Sequence, residues 1–168
     1  MLAHGILRPV LPEIVAADRL AALVLAEQSA GIPADALRRL AALLPPDSSV
    51  AEQIGARLKL SNKARKRLSC AAAAQADGKP RALAYELGID CAVDRLLLAG
   101  RESDAAALVG WNPPRLPIGG GALIERGLTA GPVVARTLKS IEQRWVAEEF
   151  PQGSALEAIV AEEVASAR

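Results

Sequence analysis

The stretch LPIGGGALIERGLTAGPVVARTLKSIEQRWVAEEF, Leu116 to Phe150, decides how the chain is read. Gly120 and Gly121 open a short helix, and Gly127 stands where a left-handed C-terminal cap is wanted. Thr129 serves as an N-cap for the next helix, and Pro132 falls in its first turn, where a missing N–H costs nothing. From there Val133, Leu138, Ile141, Trp145 and Val146 recur at helical spacing. The spacing predicts a short helix, a tight turn and a long helix. The turn leaves backbone N–H groups near Ala130 and Gly131 open at a helix N-terminus, a place suited to a phosphate. A compact helical hairpin packed for stability has the same pattern, and the residues alone leave both readings open.

The helical pattern extends outward in both directions. A first helix is predicted from an Asp18 N-cap to about Ser29, stopped by Gly31 and Pro33. A second spans Asp35 to Leu44, and a third opens with the capping box Ser49-x-x-Glu52. A fourth follows Ser61, a fifth runs from Pro80 to Leu87, and a sixth is capped by Asp90. Asp104 to Val109 forms a shorter piece, Gly110 to Pro117 a Pro-rich linker, and Ser154-x-x-Glu157 boxes a final helix. Strand-like alternation is nearly absent. The expected fold is all-α, a multi-helix array of about eight to nine short helices joined by Pro and Gly turns.

Half of the 168 residues are apolar and only four are aromatic, so the core must be Leu, Ala and Val, which suits close helix packing. Formal net charge is +1, so bulk charge announces no nucleic-acid partner. Two cysteines, Cys70 and Cys91, and one histidine, His4, make no metal-ligand spacing. Two free buried thiols and a cytoplasmic location are expected. The N-terminus carries His4 and Arg8 and is broken by Pro9 and Pro12, unlike a signal peptide, and no apolar run approaches the length of a membrane span.

Charge is uneven along the chain. Between Glu52 and Asp77 there is no acidic residue, while that window holds Arg57, Lys59, Lys63, Arg65, Lys66 and Arg67. Six cations at one helix junction make a basic patch able to contact a phosphate backbone. They equally describe a solvated helix face with Arg57 and Lys59 complementing a helix C-terminus. Arg115, Arg126 and Arg136, with the Gly131 turn, offer a second phosphate contact. Trp145 and Phe150 sit on or beside an apolar helix face and read as core rather than as stacking platforms, so a binder built this way recognises shape and backbone. No Asp-x-Asp exists to hold paired metal ions, and the doublets Glu148-Glu149 and Glu162-Glu163 read as solvated faces. Asp90 and Asp94 read as a helix cap and a surface charge. No catalytic or metal-ligating residue is assigned.

The pattern L-P-I-x-G-G-x-L-I-x-x-G-L-x-x-G-P from Leu116 to Pro132, followed by Leu138, Glu142, Trp145 and Phe150, resembles the C-terminal region of bacterial tRNA nucleotidyltransferases. These are the class II CCA-adding enzymes and related poly(A) polymerases, in the form typical of alphaproteobacteria. L-R-P-V-L-P-E at Leu7 to Glu13 resembles the end of that family's neck domain, and L-K-L-S-N-K-A-R-K-R-L at Leu58 to Leu68 a segment of its body. The three stretches come in family order. Ala122 stands where the family often has Asp, and Ala135 where it often has Gly.

The resemblance implies a neck-like end over residues 1–13, a body-like domain over 14–77 and a tail-like domain over 78–168. It implies a chain that grips the backbone of tRNA while a catalytic head, absent from this sequence, extends the 3′ end. Mg and CTP or ATP would be used by that head, so the chain alone would be no enzyme and hold no cofactor. A head-containing chain is then an expected partner. The other reading is a protein–protein module that docks through its apolar N-terminal segment around Ile6 and Leu7.

Overall fold

The computed structural model describes residues 9–14, 16–73 and 76–168. The expectations placed on His4, Ile6 and Leu7 lie outside the described residues. Within them the fold is all-α, with ten helices and no strand.

Seven helices belong to a first compact unit that extends to Trp111: α1 (Asp18–Ala30), α2 (Ala36–Leu43), α3 (Ser48–Arg57), α4 (Asn62–Ala72), α5 (Pro80–Leu87), α6 (Ile89–Leu98) and α7 (Glu102–Ala106). Helix α4 packs on α2, α3 and α6, and α1 packs on α2, α6 and α7. One apolar cluster gathers Leu23, Ala26, Leu83, Leu96, Leu97 and Leu108, and a second gathers Ile14, Leu44, Ile54, Leu68 and Ala71. The scarcity of aromatics is met as expected: buried Leu and Ala let helices approach closely. The compact unit continues through the Gly78 turn, because Leu83 and Ala84 on its far side share a cluster with Leu23 and Ala26. The division by compactness therefore falls after Trp111, past the 77/78 boundary drawn from the resemblance.

The second unit, Asn112 to Arg168, holds α8 (Gly120–Glu125), α9 (Pro132–Ala147) and α10 (Ser154–Ser166). Here α9 packs against both α8 and α10. Leu123, Ile141, Trp145, Ile159 and Val160 are fully buried. Trp145 donates its indole N–H to the Pro151 carbonyl at 2.9 Å and meets the Phe150 ring edge-on at 4.9 Å. Both aromatics are therefore packing residues, as the helix face implied.

Several caps differ from the sequence reading. Ser61 caps α4 as expected, Asp35 caps α2 rather than forming its first residue, and Gly127 is left-handed at φ 95°. Asp47, rather than Ser49, caps α3: its carboxylate accepts from the N–H groups of Ser49 and Val50 at 2.7 and 3.1 Å. Glu52 is then free to turn to Arg65. Gly131 takes the cap position given to Thr129, Gly88 that given to Asp90, and Ala17 that given to Asp18. Ser154 is the first residue of α10 rather than its cap. Asp47→Ala should accordingly lower the thermal midpoint, and Ser49→Ala should lower it less, because only Asp47 satisfies two open N–H groups.

The two cysteines are not free thiols. Packing of α4 on α6 brings their Cα atoms to 6.0 Å, within bridging range, and Cys70 and Cys91 form a disulfide. A separation of 21 residues in two different helices gave no local sign of it.

Candidate nucleic-acid interface

The basic window folds into the end of α3, a tight turn and the first two turns of α4. The turn closes α3 with the N–H of Leu60 on the Gly55 carbonyl and that of Lys59 on the Ala56 carbonyl, both at 3.0 Å. This double closure needs a left-handed residue between helix and exit, and glycine usually supplies it. Lys59 supplies it here, at φ 54°. A side chain in that conformation costs about 1 kcal/mol relative to glycine. Lys59→Gly should therefore raise stability by about 1 kcal/mol while removing a positive charge from the face, measurable by denaturant unfolding.

The six cations divide into two sets. Arg57 pairs with Glu13 at 2.7 Å, and Arg65 with Glu52. The stem of Arg65 passes close over α3, which is why glycine occupies position 55: a Cβ there would meet Arg65 Cγ at 3.0 Å. Arg67 points inward, to Asp94 at 2.7 Å and Asp35 at 2.9 Å. The hydrogen bond to Asp94 holds its guanidinium above the ordinary arginine range. Lys59, Lys63 and Lys66 make up the other set; they are exposed, with no ion-pair partner among the described residues. Lys63 and Lys66 lie three residues apart and so share one face of α4.

Arg67 belongs to a larger ion network whose members lie far apart along the chain. Arg38 donates to Glu27 and to Asp94, each at 2.8 Å, and Arg39 reaches Glu27 at 2.9 Å. Asp94 is fully buried, with Glu27 and Arg38 nearly so, which corrects the reading of Asp94 as a surface charge. Three arginines meet three carboxylates across α1, α2, α4 and α6, so the network is neutral and fixes α4 against its neighbours. Partial burial opposes ionisation of Asp35, yet the Arg38 backbone N–H and the Arg67 guanidinium hold its carboxyl below the usual range. A carboxyl depressed in the folded state stabilises the fold above its unfolded pKa, and that contribution is lost as pH falls through the folded value. The thermal midpoint should thus drop on acidification below the ordinary aspartate range, and Asp35→Asn should flatten that drop.

In the second unit Arg115 and Arg136 are exposed, Arg126 pairs with Glu157 at 2.8 Å, and the Gly131 turn is exposed at the start of α9. Gly131 has φ 140°, a conformation suited to glycine, and no side-chain cap covers the helix start. Arg136 lines a shallow cavity of about 250 Å³ with Thr137, Ser140 and Glu163. The acidic doublets lie on solvated helix faces as expected, with Glu148, Glu149 and Glu162 exposed, and Arg144 draws Glu148, Glu162 and Glu163 together at 2.8–3.3 Å. Among the described residues no helix is long and apolar enough to cross a membrane, and no cluster of three or more His, Cys, Asp or Glu side chains could hold a metal ion.

No protein-family model, no curated protein and no solved structure matches the chain.

Proposed function

We propose that the chain binds structured RNA through its phosphate backbone, in the manner of the body and tail of a CCA-adding tRNA nucleotidyltransferase, holding tRNA for 3′-end addition by a nucleotidyltransferase head. The observation that carries this reading is the sorting of the basic window: its arginines are neutralised by carboxylates, and Lys59, Lys63 and Lys66 are left exposed on one helix junction. Flexible ammonium groups of this kind act as point charges toward phosphates and carry no base readout. The packing of Trp145 and Phe150 against one another supports recognition by backbone and shape, since stacking on bases needs an open ring. Arg115, Arg136 and the open start of α9 at Gly131 give the second unit phosphate donors of its own. The chain would itself be non-catalytic, and the nucleotide chemistry with its Mg would belong to the head. Titration of whole tRNA and of an RNA duplex of similar length, each at two salt concentrations, tests the reading. Salt-sensitive binding that favours tRNA is expected; equal binding to both would remove the shape component.

A further inference from the structure

The disulfide joins two helices that other contacts already hold. Arg67 Nε donates to Asp94 Oδ2 at 2.7 Å, and Arg95 Nε donates to the Cys70 carbonyl at 2.7 Å, so α4 and α6 stay tied without the S–S bond. The two sulfurs stand in unequal surroundings. Cys91 is buried on α6, 5% exposed. Cys70 is partly buried and lines an open groove of about 400 Å³ that Lys66 and Arg95 also line. Glu52 lines it as well, but is paired with Arg65. Position 66 lies one turn before position 70, which puts Lys66 and Cys70 on the same face of α4.

We propose that Cys70 and Cys91 form a reversible dithiol–disulfide couple with glutathione-class thiols, in which Cys70 is the exchanging sulfur and Cys91 the resolving one. An incoming thiolate attacks Cys70 Sγ; the S–S bond breaks, and Cys91 leaves with the electron pair and takes a proton from water. A second thiolate attacks the external sulfur of the mixed disulfide, releasing Cys70 as a thiolate and the external disulfide. Two external thiolates are thereby oxidised to one disulfide, and the protein gains two electrons and, once Cys70 also takes a proton from water, two protons. Oxidised glutathione runs the sequence backward. The positive charges of Lys66 and Arg95 attract the anionic tripeptide and favour the Cys70 thiolate as it leaves. Burial keeps Cys91 from direct attack, so the order of events follows from access.

The test uses the wild-type chain in glutathione buffers that run from fully oxidised to fully reduced, quenched by acid and alkylation and read by peptide mass. The disulfide should convert to the dithiol with helicity unchanged, and the transient glutathione adduct should sit on the Cys70 peptide. Cys91→Ala should accumulate that adduct on Cys70, and adding Lys66→Gln should slow its formation severalfold. A bond that resists every reducing mixture while the chain is folded, a loss of helicity on reduction, or an adduct on Cys91 would overturn the proposal. None of these readouts involves RNA, so they stand or fall apart from the binding reading.

Discussion

Asp94→Ala is expected to destabilise the first unit by about 3–5 kcal/mol. Asp94 accepts from Arg38 Nε at 2.8 Å and from Arg67 Nε and Nη2 at 2.7 and 3.0 Å, with no exposure to solvent. Its removal leaves the nearly buried Arg38 with Glu27 as its sole carboxylate and opens a void between α2, α4 and α6. A charge stranded in that setting costs more than the pair contributed, because desolvation of the remaining ion is no longer offset. Set against a typical stability of about 5–15 kcal/mol, the loss brings the unit close to unfolding. Arg39→Ala should cost much less, since that guanidinium is 41% exposed and Glu27 keeps Arg38. Equilibrium unfolding in urea, with helicity as the signal, separates the two. Similar costs for both variants would mean that the network is a surface feature.

Replacing Lys59, Lys63 and Lys66 together by glutamine is expected to weaken tRNA binding at low salt by roughly one to two orders of magnitude. The variant should keep its fold, because none of the three side chains pairs with a carboxylate among the described residues. Arg57→Gln and Arg65→Gln make the informative comparison. Each removes the same formal charge from the same sequence window, but these arginines are committed to Glu13 and Glu52. Their loss also frees a carboxylate, so the local potential falls while no RNA contact is broken directly, and the effect on binding should be smaller per charge. Arg67→Gln belongs with Asp94: its main consequence is on stability, since it links α4 to both α2 and α6.

The helices were legible because their signals are local. The apolar spacing of Ile141 and Trp145, the Pro80 and Pro132 starts, and the Ser61 cap are all read within a few residues. At α3 the cap misled because two nearby residues suit it. Asp47 and Ser49 both fit the start of α3, and only the extended backbone at Asp47 decides between them. The basic window was legible as composition, and its division into paired arginines and open lysines was not. The neutralising carboxylates Glu13, Asp35 and Asp94 lie 25 or more residues from their partners, and no periodicity announces them. The same holds for Cys70 and Cys91, which meet only because α4 lies on α6. Lys59 offered one signal that could have been used: it directly follows a helix end where glycine would be ordinary.

In the proposed binding mode the exposed lysines at the α3–α4 junction contact RNA phosphates. The most direct measurement is the salt dependence of tRNA affinity for the wild-type chain and the triple lysine variant, taken side by side. Each lost phosphate contact removes about one unit from the slope of log affinity against log salt. A slope flatter by about three units is expected in the variant, at unchanged helicity. Parallel slopes for the two proteins, or no tRNA binding by the wild type at low salt, would contradict it.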